Sequence, residues 1–593
     1  MTYIVGTKSK KNVGTIITRS GASFRVWAPF ADKVSVIGSF NNWVPTNLES
    51  EQDGYWFVFI NGVIPGQEYK FLISNGDDTL IRNDPRALHF TTSAGTSVVS
   101  NNKPIIEDNY DRIAIEQQII YEVHVGTFSR KDPAINGSFS DLIGKLDYIK
   151  DLGVNMIELM PINSMLMDRG WGYAIDYIFA VESLYGGNYG LKQLIIEAHS
   201  RGIGIILDVV YNHFGPDSNL DLWNFDGWHK EGYGGVYFYN DWRAETPWGL
   251  TRPDFGRLEV IQYILDNVKM WTHDFHIDGL RVDSTIYIRN VKGFNNDPEH
   301  DLAEGWYLLQ KINSLAKKIN PSIITIAEDV AGNEHIIKDL SEGGAGFSTQ
   351  WDLSFPRALK DALKTNDPLK VDIRAVTELL TKQFNGYALG RVIYSDSHDS
   401  AANGSARMVE VISPGKPDSL FARQQSLIAA TLIMTAPGIP MLFQGQEIMQ
   451  GGSFNDWQGL DWTKVNKHLG IIEAYKHLIN LRKNTHHVSG GLVGGNIKII
   501  QSDNDNKILV YHRWKDGGVG DDVVVIINFT KLSHDNYIVK LPRDGLWQLR
   551  FNSTWDGYSK DFINIDPGPV LVSNGAATIK IPSSSALIFS QDN

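Results

Sequence analysis

The sequence predicts an α/β protein built as a (β/α)8 barrel, flanked by an N-terminal β-sandwich and a C-terminal β-domain. Three observations predict it. Between residues 118 and 490, eight short apolar runs alternate with helix-length amphipathic segments, the pattern of parallel β/α units. Before and after this stretch the texture changes to apolar–polar alternation broken by turn residues, as in antiparallel sheets. Four of the eight runs end in ionisable clusters, at the end of a barrel where active sites are built.

In chain order, the expected division is an N-terminal β-sandwich over 1–100, a linker over 101–117, the barrel over 118–490 and a C-terminal β-sandwich over 491–593. In the first part the alternating runs are Ser23–Trp27, Val34–Ile37, Trp56–Phe59 and Tyr69–Leu72. A stretch rich in Ser, Asn and Pro, about Ser93 to Asp111, reads as the connection to the barrel. The candidate barrel strands are Ile119–Val125, Asn155–Met160, Gly204–Val210, Gly279–Asp283, Ile323–Ala327, Phe347–Trp351, Val392–Ser395 and Pro440–Phe443. The connection after the third is long, aromatic and poor in helix signal, and reads as an inserted subdomain at about 214–256. After a helix over Gly470–Lys483, the runs Ile497–Ile500, Ile508–Tyr511, Val523–Ile527 and Ala586–Phe589 return to β texture.

Composition limits the function. Of 593 residues, 42% are hydrophobic and 21% charged, as in an ordinary globular protein. The net charge of −13 leaves no basic excess for nucleic acid or an anionic membrane, so neither is an expected partner. The absence of cysteine removes thiol catalysis, thiolate metal sites and disulfides together, and fits a cytoplasmic protein. Met1 to Gly14 carries three lysines without the apolar core of a signal peptide, and no apolar run reaches the ~18 residues of a membrane span. With 16 Trp, 23 Tyr and 26 Phe the chain has flat apolar surfaces suited to pyranose rings, although most must serve the core.

The chemistry-bearing residues lie at the strand ends. The third run gives Asp208-Val209-Val210-Tyr211-Asn212-His213, the fourth Arg281 and Asp283, the fifth Glu328-Asp329 and the seventh Ser395-Asp396-Ser397-His398-Asp399. A single acidic residue at such a place is more often a cap. Four clusters at one end of one barrel are better read as a site. Arg281 and Asp283, two residues apart, share a face at strand period, and the cation is expected to lower the pKa of Asp283 and keep it ionised.

In these motifs, and over about Tyr121 to Gln446, the chain resembles the alpha-amylase family of glycoside hydrolases; Trp27-Ala28-Pro29 and Gly38-Ser39-Phe40-Asn41-Asn42-Trp43 look like the starch- and glycogen-binding module preceding many branching and debranching enzymes. The resemblance implies an α-glucan substrate with Asp283 as nucleophile, Glu328 as general acid/base and Asp399 as a carboxylate that binds sugar hydroxyls. It further implies that Asp208, His213, Arg281 and His398 line the same sugar subsite and that Tyr173 stacks on the ring. The chemistry is consistent: retention needs an ionised nucleophile and a protonated donor about 5–5.5 Å apart. Asn212 matches a position that binds calcium in many amylases, but such a site needs roughly six to eight oxygens and the insertion has no obvious acidic loop. No cofactor is expected to be required.

Finer features divide. Glu328–Gly332, Glu342–Phe347 and Ser397–Asp399 look like glycogen-branching enzymes. Tyr121–Phe128, Trp171–Tyr173, Tyr211–Pro216 and Thr246–Gly249 look like maltooligosyltrehalose trehalohydrolase, and Phe443–Glu447 departs from both. The acid/base segment and the N-terminal module agree on branching, which is the expectation. A general α-amylase-type hydrolase and the trehalohydrolase remain alternatives. A non-catalytic glucan-binding relative would have lost the carboxylates, and all three are present.

Overall fold

The computed structural model describes residues 12–592 except 94, 102–103, 106–109, 166, 168, 216–219 and 365–369. Most of the Met1–Gly14 segment, parts of the Ser93–Asp111 connection, and Pro216 of the Tyr211–Pro216 motif therefore lie outside the described residues.

Eight parallel strands close into a barrel: β1 Ile120–Val123, β2 Met156–Leu159, β3 Gly204–Val209, β4 Gly279–Val282, β5 Ile324–Ala327, β6 Thr349–Trp351, β7 Arg391–Ile393 and β8 Ile439–Phe443. Each falls on one of the expected runs. Ile120, Met156, Ile206, Ile324, Ile326, Val392, Ile439 and Met441 fill the interior as an apolar floor. Period-two alternation then places the residues two steps further on directly above it. On the first four strands these are Glu122, Glu158, Asp208 and Arg281, so a polar layer follows from the strand sequences themselves. Gly279 opens β4 because a Cβ there would stand 2.6 Å from Ile324 and 2.7 Å from Ile206.

Helices cover the outside, among them Gly187–His199, Leu258–Lys269, Ala303–Ile319 and Leu420–Thr435. The β5–β6 connection differs from a regular (β/α)8 unit: among the described residues it holds only the 3-10 turns Glu334–Ile337 and Leu340–Glu342. Gly343, Gly344 and Gly346 follow, and such a cluster of glycines disfavours a helix.

The N-terminal module packs two sheets, and its second sheet includes Ser97–Val98, which pairs with Glu68–Asn75. The expected linker thus begins later than Ser93, whose hydroxyl is bonded to Glu182 at 2.7 Å. The insertion after β3 lies against this module. Phe30 stacks on Trp228 at 4.6 Å and Trp27 meets Tyr237 edge-on at 5.6 Å. The buried Asp226 accepts from the Phe30 backbone at 2.9 Å, and Asp221 from that of Asn83 at 2.9 Å. An excursion after β2 forms a two-stranded sheet, Asn163–Met165 with Ile175–Val181, whose connecting loop carries Tyr173.

The C-terminal domain is a six-stranded sheet, with Asn496–Asp503 and Val570–Val572 at its edges, facing the pair His534–Lys540 and Ala576–Ile581. Buried Arg513, on strand Ile508–Trp514, ties it to the barrel by donating to the carbonyl of Thr435 at the end of helix Leu420–Thr435. Among the described residues no helix is long and apolar enough to cross a membrane.

Candidate active site

Arg281 organises the site. It leaves the middle of β4 fully buried, and its Nη1 lies 2.7 Å from Asp208 Oδ2 and 2.9 Å from Asp283 Oδ1. Nη2 lies 2.8 Å from Glu328 Oε2, at an angle that makes an ion pair rather than a hydrogen bond. Below the guanidinium, the Trp351 ring at the end of β6 stands 4.4 Å from Cζ, a cation–π contact that fixes its plane. One cation thus serves three carboxyls from three neighbouring strands. The guanidinium thereby holds Asp283 and Glu328 on one shared cation.

Asp283 is further held by Asn212, whose amide donates to Oδ2 at 2.8 Å. Burial nevertheless raises its pKa, with Arg281 and the Asn212 amide opposing the rise. This corrects the sequence expectation of a net lowering: the cation limits an upward shift that burial imposes. Glu328 also rises, to about 7, because burial, Asp283 and Asp399 outweigh Arg281 and the Ser284 N–H, which donates to Oε2 at 2.9 Å. Ser284 reaches it from a left-handed conformation, φ 40°, which a non-glycine residue adopts at a cost. The Glu328 carboxyl can donate to Asp283, a hydrogen bond that favours the Asp283 carboxylate.

Tyr173 donates from its hydroxyl to Asp208 Oδ2 at 2.7 Å, and its ring stacks on His398 with centroids 5.3 Å apart. Gly172, at φ 96°, turns the chain beneath it, where a Cβ would stand 2.2 Å from the Pro161 carbonyl. His398 Nε2 lies 2.9 Å from the Tyr173 hydroxyl and 3.5 Å from Asp399 Oδ2. Asp399 is the open member of the set, its side chain 42% exposed against 8% for Asp283 and 5% for Glu328. Such a carboxylate is placed to meet hydroxyls rather than to exchange a buried proton.

Seven of the eight expected residues therefore form one contact network. His213 stands one step back: its Nδ1 meets Asn212 Oδ1, its ring is covered by Trp248 at 4.3 Å, and burial lowers its pKa to about 3. Asn212 is a residue of the site whose partners sequence reasoning did not find. Its amide nitrogen is engaged by Asp283 and its oxygen by His213, a donor set that does not fit a calcium shell. Among the described residues no group of three or more His, Asp or Glu is placed to hold a metal ion. Trp351, Trp248 and Glu122 were also not singled out. The sequence signal for Glu122 was an acid in the middle of an apolar strand.

Comparison with known proteins agrees with this geometry. Residues 122–244 and 249–472 match the family described as "Alpha amylase, catalytic domain". Residues 10–87 match carbohydrate-binding module 48, the isoamylase N-terminal domain, and 499–592 the alpha amylase C-terminal all-beta domain. The 1,4-alpha-glucan branching enzyme of Oceanobacillus iheyensis is 30% identical over 90% of this chain and 86% of its own length. That of Corynebacterium jeikeium is 29% identical over 98% and 83%. An Anoxybacillus pullulanase complexed with maltotetraose superposes with a TM-score of 0.78 at 19% identity, covering 99% of this chain and 88% of that one. A putative alpha amylase from Salmonella typhimurium gives 0.72 at 21% identity, covering 98% and 100%. With one family matching more than half of its length and an Arg281-centred carboxyl site at the barrel's open end, the chain belongs to the alpha-amylase family.

Proposed function

We propose that this protein is a 1,4-α-glucan branching enzyme working by double displacement, with Asp283 as nucleophile and Glu328 as acid/base. The observation that carries the catalytic part is the shared guanidinium: Arg281 contacts both carboxyls while burial raises Glu328 to about 7. Near neutral pH one is then ionised and the other still holds its proton, which is the division of labour that retention requires.

In the first step an Asp283 oxygen bonds to the anomeric carbon of an α-1,4-glucan, the glycosidic C–O bond breaks, and the Glu328 proton passes to the departing 4-oxygen. In the second, the 6-hydroxyl of another chain gives its proton to Glu328 and attacks the anomeric carbon, releasing Asp283. Asp399, Tyr173 and His398 hold the sugar. Two carboxyls suffice for this chemistry, so no cofactor is required. The cysteine-free chain fits a cytoplasmic setting.

Transfer to a 6-hydroxyl rather than to water is supported by the branching-enzyme relatives, which the chain matches over most of its length. The test is incubation with amylose. Iodine colour should fall with few new reducing ends, and isoamylase should then release short chains. Reducing ends rising in step with colour loss would instead identify a hydrolase. Free trehalose from maltooligosyltrehalose would then mark the trehalohydrolase reading, to which Trp248 on the Thr246–Gly249 turn points.

A further inference from the structure

Glu122 belongs to the polar layer but takes no part in the displacement steps. It sits two residues beyond Ile120 on β1, so its side chain enters the barrel interior. Both of its oxygens are taken by one residue, 276 positions away: Oε2 accepts from the His398 backbone N–H at 3.0 Å, and Oε1 bonds His398 Nδ1. Both side chains are 1% exposed. A buried acid must be paired to be tolerated, and here the partner is a residue facing the sugar pocket.

The surroundings leave the imidazole one orientation. Trp171 meets the ring edge-on at 5.7 Å and Tyr173 stacks on it, while Nε2 faces the Tyr173 hydroxyl and Asp399. Glu158 is the in-register neighbour of Glu122 on β2. Burial, and then Glu122, hold its carboxyl well above the usual range, so Glu158 stays protonated and does not compete for the ring.

We propose that Glu122 is a positioning residue for glycosyl transfer: by binding His398 at both its backbone N–H and Nδ1, it fixes the ring with Nε2–H aimed at the hydroxyls of the attacked sugar. This rests on the catalytic reading given above. A neutral imidazole carries only one N–H, and without a carboxylate at Nδ1 the tautomer presenting a lone pair to the sugar becomes available. Glu122 removes that option and keeps the ring a cationic donor beside Arg281. Burial alone would lower the pKa of His398, but Asp399 and Glu122 outweigh it and push it up to about 10. The other groups facing the ring are Arg281 and His124, which oppose the charge, and Asp208, Glu158 and the Tyr173 hydroxyl.

Glu122→Gln keeps the shape and removes the charge. In full-length protein with ring-labelled histidine, the His398 signal, assigned by its loss in His398→Asn, should titrate at least about one pH unit lower than in wild type. The kcat on amylose should fall about 10- to 100-fold, the usual cost of removing a carboxylate that orients a functional histidine. KM should change far less, because the substitution disturbs the aim of the ring rather than the walls of the sugar pocket. In a His398→Asn background the same substitution should change kcat less than about threefold, since partners in one network are not additive. Glu122→Asp should recover part of the loss, and serves as the test variant if Glu122→Gln melts early. A kcat within about twofold of wild type, or an unmoved His398 titration, would overturn the proposal. Its failure is separable from that of the branching assignment, because the comparison can be made on whichever product, branched or hydrolysed, the wild-type protein forms.

Discussion

Arg281 Nη1 lies 2.9 Å from Asp283 Oδ1, and both side chains are buried. Because burial raises the Asp283 pKa and Arg281 opposes it, removing the cation lets the full rise appear. Arg281→Leu should therefore move the acid limb of the activity profile to higher pH and lower kcat about 10²- to 10³-fold, as for loss of one preorganised charge-stabilising group. An acid limb that stays in place would show that Arg281 does not set this ionisation. The wild-type profile itself should be bell-shaped, with its alkaline limb near pH 7 from Glu328.

Asp283→Asn should reduce transfer by at least about 10³-fold, because an amide cannot form the covalent glycosyl intermediate. The fold should persist, since the amide can still meet Asn212. Retention of about a tenth of the wild-type rate, with circular dichroism unchanged, would remove Asp283 from the role of nucleophile.

The same electrostatics costs stability. Glu328 has a folded pKa of about 7 against an ordinary 4.5, so between these values the folded state holds a proton that the unfolded chain has released. Stability then falls as pH rises through this window, and the cost is fully present above about pH 7. Glu328→Gln cannot ionise and should be more stable than wild type at about pH 8, by on the order of 2 kcal/mol, with the difference closing toward pH 4. Urea melts at the two pH values measure it, and an equal difference at both would refute the linkage.

Asn212 offers a smaller test. Its amide donates to a carboxylate, a bond worth about 1.5–3 kcal/mol. Asn212→Ala should raise the Asp283 pKa, shift the acid limb upward and cut kcat about tenfold or more. An unchanged profile and rate in this variant would show that the Asn212 amide does not set the Asp283 ionisation.

The fold was legible because barrel strands are short apolar runs at regular intervals, and all eight stood out. The missing β5–β6 helix was written in Gly343, Gly344 and Gly346, but the barrel pattern argued against noticing it. The carboxyls were legible because acids at strand ends carry a position as well as a type. Asn212 was not, since the partner of an amide depends on which strand lies beside it, and β4 is distant in sequence. Nor was the net shift of Asp283, because a charge pair two residues long can be read locally whereas desolvation belongs to the whole interior. Glu122 was in view as a polar residue inside an apolar run, yet nothing local names a partner 276 residues away.

The docking of Phe30 onto Asp226 spans 196 residues, and this sets an order of events during synthesis. At roughly 5–20 residues per second, the N-terminal module leaves the ribosome some 10–40 s before the segment that receives it. Throughout that interval Trp27 and Phe30 lack the Tyr237 and Trp228 rings that later cover them. A nascent chain paused in this interval displays an aromatic edge suited to chaperone capture or to association with a neighbouring nascent chain, until translation delivers the insertion.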